Sequence, residues 1–209
     1  MGAPESNGWS ARSNDMIAAG RSGDRRGQSR APGSVGGVCT PPHHPSYRKL
    51  TDDLECRKLI LAEARYDKEL ESPYECAEQT LRTLSSRYRI GVIANQPAGT
   101  EERLTKWGLT PFISICLSST EVGLEKPDPA VFQLALSQSG CKPSQAVMIG
   151  DRLDNDIRPA RLLGWKTIRI AQGFARFQSP RDGLDEADLT LANVKLVVPV
   201  FTGDLAKSS

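Results

Sequence analysis

From about residue 70, short apolar runs alternate with longer segments in which apolar residues recur at helical spacing. This alternation predicts strands separated by helices, and therefore an α/β fold with a parallel sheet covered on both faces. The predicted strands are RIGVIAN, FISICLSS, AVMIG and KTIRIA, with ADLTL as a fifth.

Capping residues mark the ends of several predicted helices. In TEERLTKWG we expect Thr100 to cap the helix and Gly108 to end it. Pro129 lies near the first turn of another helix, and Gly164 ends the one that follows AVMIG. The remaining predicted helices are ECAEQTLRTLSSRY, DPAVFQLALSQSG, NDIRPARLLG and NVKLVVPVF.

The first part of the chain has a different texture. Residues 1–46 are rich in Gly, Ser, Arg and Pro and show no apolar periodicity, so we expect a disordered tail. Residues 47–72 have leucine and isoleucine at helical spacing and are predicted to be helical or to form a linker. Residues 73–209 are predicted to form the folded α/β domain.

Composition narrows the class of protein. The formal net charge is +2, and the few arginines of the tail have almost no aromatic residues between them, which argues against a nucleic-acid contact. We find no apolar run long enough to span a membrane and no secretory signal. The five cysteines form no CxxC pair, which favours free thiols and a cytoplasmic location.

Polar residues follow three predicted strands at the sheet edge where chemistry is expected in parallel α/β folds. These are Asn95 with Gln96, residues 118–121, and the aspartates 151, 154 and 156. Grouped carboxylates repel one another, and a hard cation such as Mg²⁺ relieves that repulsion with oxygen ligands. We therefore interpret Asp151 and Asp156 as metal ligands and Asp154 as a solvated loop residue. The alternative is that Asp151 and Asp154 are solvated loop acids and that Asp156 caps a helix.

A positive partner for a metal-bound phosphate is present in EKPDPAVF. Lys126 lies there in a loop just before the helix that Pro129 opens. An ammonium group in that loop is placed to hold a carboxylate and a phosphoryl oxygen together by charge.

These segments resemble the haloacid dehalogenase-like (HAD) superfamily, in its phosphatase-rich branch with a helical cap. GVIANQ is similar to the second family motif, EKPDPAVF to the third and MIGDRLDND to the fourth, the acidic metal motif. ARLLGWKTIRI is similar to the helix–Gly–strand step after that motif. The resemblance covers about residues 70–200.

The resemblance implies a Rossmann-like three-layer α/β/α sandwich and Mg²⁺-dependent hydrolysis of a phosphate ester through an aspartyl-phosphate. By resemblance, Asp151 is a direct Mg²⁺ ligand and Asp156 binds the metal or its waters. Lys126 steadies the nucleophile and the phosphate, and Asn95 and Gln96 receive phosphoryl oxygens. The implied substrate is a small phosphorylated metabolite.

Two departures from the family pattern bear on activity. The second motif has Ala94 where the family carries Ser or Thr. The first motif, an apolar strand ending in DxD that supplies the nucleophile, has no match upstream of GVIAN. We therefore expect the central strand of the family's sheet and most of the cap to be missing, with residues 47–72 as a remnant of the helical cap or a linker. An unpaired sheet centre favours self-association or a strand borrowed from the tail or another chain.

Two functions fit these observations. One is a HAD-type hydrolase that is impaired or inactive because its nucleophile is missing. The other is a non-catalytic module in which the same crevice binds phosphate, Mg²⁺ or a partner without turnover. An unrelated nucleotide-binding Rossmann domain is disfavoured because no GxGxxG or GxxxxGK[ST] loop is present.

Overall fold

In a computed structural model of the protein, the structure describes residues 16–21 and 71–203. These residues form a six-stranded sheet in the order β3-β2-β1-β4-β5-β6, and every neighbouring pair of strands is parallel. The strands are β1 (Met16–Arg21), β2 (Arg89–Ala94), β3 (Ile115–Ser118), β4 (Ala146–Gly150), β5 (Lys166–Ile170) and β6 (Leu189–Leu191).

Helices connect these strands. The α-helices are α1 (Ala77–Ser85), α2 (Thr100–Lys106), α3 (Ser119–Val122), α4 (Pro129–Ser139), α5 (Arg158–Leu162) and α6 (Val197–Thr202). A π-helical turn, Leu153–Ile157, leads into α5. Short 3₁₀ turns lie at Thr110–Phe112, Pro143–Gln145, Phe174–Phe177 and Val194–Leu196.

Alternating residues of the strands fill two hydrophobic cores, one on each face of the sheet. In β4, Met148 joins a core with Phe132 of α4 and Ala160 of α5. Ile149, the next residue, joins the other core, together with Leu84 of α1 and Val197 of α6. The arrangement is the predicted three-layer α/β/α sandwich.

The expectation of a missing central strand is wrong. β1 lies at the centre of the sheet and pairs with β2 on one side and with β4 on the other. Ala18 is fully buried in the core beside α4 and α5. The prediction of a disordered tail over residues 1–46 is therefore wrong for residues 16–21. The strand begins with four apolar residues, Met-Ile-Ala-Ala, and Ala18 among them is fully buried.

The tail is the source of this strand, which is one of the two sources that the sequence left open. β1 also removes the reason for expecting self-association, because the centre of the sheet is already paired within the chain. Self-association stays a prediction.

Most predicted elements of the α/β domain are confirmed within a few residues. Thr100 is an exception because it is the first residue of α2, and Gly99, with φ of 88°, is the capping residue. The left-handed backbone at Gly99 starts the helix without a side-chain cap, so the hydroxyl of Thr100 is left to contact Ser118 at 3.2 Å.

Contacts divide the chain into two compact units, residues 1–24 with 73–209 and residues 25–72. The predicted helical segment 47–72 lies almost entirely outside the described residues. Within the described ranges, the structure shows no helix with the length and apolar character needed to cross a membrane.

Candidate active site

The predicted site residues gather at the carboxyl edge of the sheet. Asn95 follows β2, Asp151 follows β4, and Lys126 lies in the loop between α3 and α4. Hydrogen bonds join Asn95 to Lys126 and Lys126 to Asp156. The structure thus unites residues from three separate sequence motifs.

Lys126 and Asp156 form a buried ion pair. The Lys126 Nζ lies 2.6 Å from Asp156 Oδ1, and the two side chains are 2% and 1% exposed. The second carboxylate oxygen of Asp156 accepts a hydrogen bond from the Arg152 main-chain N–H at 3.1 Å. Each charge is costly to bury alone, so the two charges compensate one another, and the Arg152 N–H further stabilises the Asp156 carboxylate.

Gly150 makes room for this pair. A β-carbon at position 150 would lie 2.5 Å from the Asp156 side chain, which is closer than real contacts allow. The π-helical turn Leu153–Ile157 folds Asp156 back over the end of β4. Glycine immediately before Asp151 is therefore a steric requirement of the acidic motif.

Asn95 pairs with the main chain of Lys126 through both ends of its side-chain amide. Its Nδ2 donates to the Lys126 carbonyl at 2.7 Å, and its Oδ1 accepts from the Lys126 N–H at 2.8 Å. These two bonds tie the end of β2 to the lysine loop, which is 31 residues further along the chain.

Gln96 is held by hydroxyl groups at the end of β3, a feature that sequence reasoning missed. Its main-chain N–H donates to Ser119 Oγ at 3.1 Å. Its carbonyl accepts from Ser118 and Thr120 at 3.1 and 3.0 Å. Both main-chain polar groups of Gln96 thus have protein partners. The signal in the sequence was the polar run Ser118–Ser119–Thr120 directly after an apolar strand.

Asp154 is not the solvated loop residue that the sequence suggested. It is half-buried, and it accepts hydrogen bonds from Arg152 Nε and from Gln178 Nε2, both at 3.0 Å. Burial opposes ionisation of Asp154, but the hydrogen bonds from Arg152 and Gln178 outweigh it, and the pKa of Asp154 lies below its usual value.

Arg152 and Gln178 are further site residues that the sequence did not single out. Burial disfavours the charge on Arg152, yet the hydrogen bond to Asp154 and the nearby charges of Asp156 and Asp151 raise the pKa of its guanidinium. Gln178 also accepts from the Leu153 N–H at 2.9 Å, which anchors the acidic turn to the segment after β5. Nothing in the local sequence around Gln178 signalled this contact.

The end of β1 is where this site differs from the family pattern, in which the first strand ends in DxD. Arg21, the last residue of β1, pairs in register with Ala94 of β2. Ala19 pairs with Ile149 of β4. Two residues further along the chain, the first position is Arg21 and the second is Asp151, just after β4 ends. The six residues of β1 are MIAAGR, so this strand brings no carboxylate to the edge of the sheet.

The residues fit a magnesium ion in donor type but supply few direct ligands. Asp151, half-buried at the end of β4, offers the carboxylate oxygens that Mg²⁺ prefers. Each oxygen of Asp156 already accepts a hydrogen bond from the protein, which favours a contribution to the metal through water. Among residues 16–21 and 71–203, no group of three or more His, Cys, Asp or Glu side chains is arranged to hold a metal.

The profile of the haloacid dehalogenase-like hydrolase family matches residues 38–170, which is more than half of the chain. The chain belongs to the haloacid dehalogenase-like hydrolase family. The matched range includes β2, β3 and β4 with all predicted site residues. β1 lies before it, so the strand at the centre of this HAD-like sheet falls outside the family match.

The curated relatives of the HAD-like chain include phosphatases. The glyceraldehyde 3-phosphate phosphatase of Methanopyrus kandleri is 34% identical over 137 residues, which cover 65% of this chain and 58% of the relative. The phosphoserine phosphatase of Thermus thermophilus is 36% identical over 96 residues, covering 46% of this chain and 37% of the relative. The chain therefore spans between about a third and six-tenths of these relatives.

Solved structures share the fold of the HAD-like chain. A HAD-superfamily hydrolase of subfamily IA from Geobacter sulfurreducens superposes with a TM-score of 0.60 at 15% identity. The superposition covers 90% of this chain and 97% of the other. At this identity the likeness establishes the sandwich fold alone.

Proposed function

We propose that the chain carries the phosphate- and magnesium-facing half of a phosphatase-type HAD site and hydrolyses phosphate esters poorly or not at all. The observation that carries this proposal is the end of β1. The strand lies between β2 and β4, and its last residue is Arg21 rather than an acid. Hydrolysis through an aspartyl-phosphate needs a carboxylate nucleophile, which a guanidinium cannot replace.

The binding half of the site is better supported than the chemical half. In this proposal Lys126 supplies the positive charge that attracts a phosphoryl group, and Asp156 holds the ammonium in place. The Gln96 side-chain amide and the second N–H of the Asn95 amide are further donors for phosphoryl oxygens. The ligand is a small phosphorylated metabolite, the class to which the substrates named for the curated relatives belong.

Asp151 would hold Mg²⁺ directly, and Asp156 would support it through water. A bound Mg²⁺ supplies charge neutralisation and orientation for a phosphoryl group. With one direct protein carboxylate the expected affinity is low, and most ligands would be waters and phosphate oxygens.

Phosphate release from an aryl phosphate, measured with and without MgCl₂, tests the chemical half of the proposal. We expect no magnesium-dependent turnover above the rate of Asp151→Asn. Turnover that Asp151→Asn abolishes would mean that another acid serves as nucleophile, and the proposal of impaired chemistry would be wrong.

A measurement of phosphate binding distinguishes a site that binds phosphate without turnover from a fold that has no phosphate site. Calorimetric titration of the chain with inorganic phosphate in MgCl₂ should give a measurable heat that Lys126→Met and Asp151→Asn reduce. A folded sample without any phosphate binding would contradict the proposed site. A cytoplasmic location remains a prediction from the spacing of the cysteines.

A further inference from the structure

The amide of Asn95 contacts the one lysine that the proposed site depends on. Its Nδ2 donates to the main-chain carbonyl of Lys126, and its Oδ1 accepts from the main-chain N–H of the same residue. The Asn95 amide thus hydrogen-bonds to both the N–H and the C=O of Lys126, as a residue of a neighbouring β-strand does.

We propose that Asn95 is a positioning residue that fixes the Lys126 backbone so that the ammonium reaches Asp156. An asparagine that bound phosphate directly would instead point its side-chain amide into the crevice. The side-chain oxygen of Asn95 and one of its two amide N–H groups hydrogen-bond to Lys126. The side chain therefore acts on an anion chiefly through the lysine.

Asn95 can fix the lysine loop because Asn95 is itself fixed. The next residue, Gln96, is bonded at its N–H and its carbonyl to hydroxyls of Ser119 and Thr120. A continuous series of hydrogen bonds therefore runs from the end of β3 through Gln96 and Asn95 to Lys126.

Lys126 needs such an anchor. Its side chain is 2% exposed and ends 2.6 Å from Asp156 Oδ1. A long lysine side chain loses rotamer entropy when it is held in one buried geometry, and a fixed backbone reduces the freedom that must be lost. The two hydrogen bonds from Asn95 help to offset that cost.

Acetylation of lysine side chains, followed by mass spectrometry on the full chain, reads the position of Lys126 without any assay of activity. In Asn95→Ala we expect the acetylation rate of Lys126 to rise about tenfold relative to exposed Lys142 in the same sample. Asn95→Asp keeps the acceptor for the Lys126 N–H and loses the donor to its carbonyl, so it should give a smaller rise.

Asn193→Ala is the matched control. Asn193 Oδ1 accepts from the Lys195 N–H at 3.0 Å, the same type of bond in a 3₁₀ turn remote from the site. This variant should leave the acetylation of Lys126 within about twofold of the unchanged chain. If Asn95→Ala does not fold, Asn95→Asp supplies the same comparison.

Phosphate titration distinguishes the two roles of Asn95. The inference rests on the proposed function only for this readout. Positioning predicts that acetylation of Lys126 rises as phosphate affinity falls. Lower affinity with unchanged acetylation would mean that Asn95 touches the anion directly, and unchanged acetylation alone overturns the inference. If the unchanged chain binds no phosphate, the proposed function fails while the acetylation result still decides the role of Asn95.

Discussion

Gly150 and Asp156 are packed so closely that a β-carbon on Gly150 would lie 2.5 Å from Asp156 Cβ, Cγ and Oδ2. The acidic motif therefore needs glycine before Asp151 for reasons of space. Asp156 in turn pairs with Lys126, so the lack of a side chain at position 150 leaves the space in which the buried ion pair forms.

Gly150→Ala should destabilise the fold by about 1–3 kcal/mol, because the added methyl group must push Asp156 away from Lys126. Urea unfolding monitored by circular dichroism measures the change. Gly183→Ala is the control, since a β-carbon there meets nothing within 4 Å, and we expect a change below about 0.5 kcal/mol. Equal effects of the two substitutions would show that Gly150 is not sterically constrained.

The Lys126–Asp156 pair should be costly to break and much less costly to replace. Lys126→Met alone leaves a buried carboxylate without its cation, with an expected loss of about 3–5 kcal/mol. The double variant Lys126→Met with Asp156→Leu should recover most of that loss. Urea unfolding of the two single variants and the double variant provides the coupling energy.

The exposed pair of Arg82 and Glu78 in α1 is the matched control for burial. Its N···O distance is 2.7 Å, but its side chains are 65% and 60% exposed. Glu78→Gln should therefore cost no more than about 0.5 kcal/mol. A loss for Lys126→Met as small as this one would mean that the buried pair is open to water.

Ala18→Asp tests whether β1 fills the centre of the sheet. Ala18 is 0% exposed, and an unpaired carboxylate there should cost several kcal/mol or prevent folding. Ala98→Asp, on an exposed loop residue, should be nearly neutral. Hydrogen exchange of residues 16–21 gives an independent readout, because a central strand should be strongly protected. Rapid exchange with a harmless Ala18→Asp would refute this placement.

The thiol of Cys116 should be unusually inert. Burial, followed by the nearby carboxylate of Glu121, raises the pKa of Cys116 from 9.0 to about 11. The folded state therefore keeps a proton that an unfolded thiol loses, so this contribution to stability is complete below pH 9 and disappears as the pH rises towards 11.

Alkylation with iodoacetamide at pH 9 measures the thiolate fraction of Cys116. Its rate should be well below that of a free model thiol, and Glu121→Gln should raise it. Lys106→Gln, which alters an exposed charge on α2 outside the group that shifts this pKa, should leave the rate unchanged. A rate equal to that of the model thiol would contradict the raised pKa.

Strands and helices with a clear local pattern of apolar residues were predictable from the sequence. β4 was expected over AVMIG and is observed as Ala146–Gly150, because a short apolar run ending in Gly-Asp has few alternatives in a parallel sheet. β1 was missed because MIAAGR is short, lies in a Gly- and Arg-rich segment and carries none of the acids that were sought. Its strand conformation is determined by pairing with β2 and β4, which no local signal reports.

The residues of the site were predictable, but their connections were not. Lys126 and Asp156 were both singled out, yet their mutual contact depends on a π-helical turn that no sequence pattern announced. Asp154 looked solvated because its partners, Arg152 and Gln178, lie on its own turn and on a distant segment. A role that depends on contact between segments distant in the chain leaves no signal in the local sequence.

The central position of β1 also bears on how the chain folds. Met16 comes before every other strand, and its register partners are Arg89 and Ala146, far later in the chain. Pairing β1 with β2 and β4 requires long loops to close, which costs entropy before the contacts between the strands form. Folding should therefore be slow for a domain of this size. Until β1 docks, the facing edges of β2 and β4 lack a partner, so any chain in which β1 is undocked exposes two strand edges that can pair with another molecule.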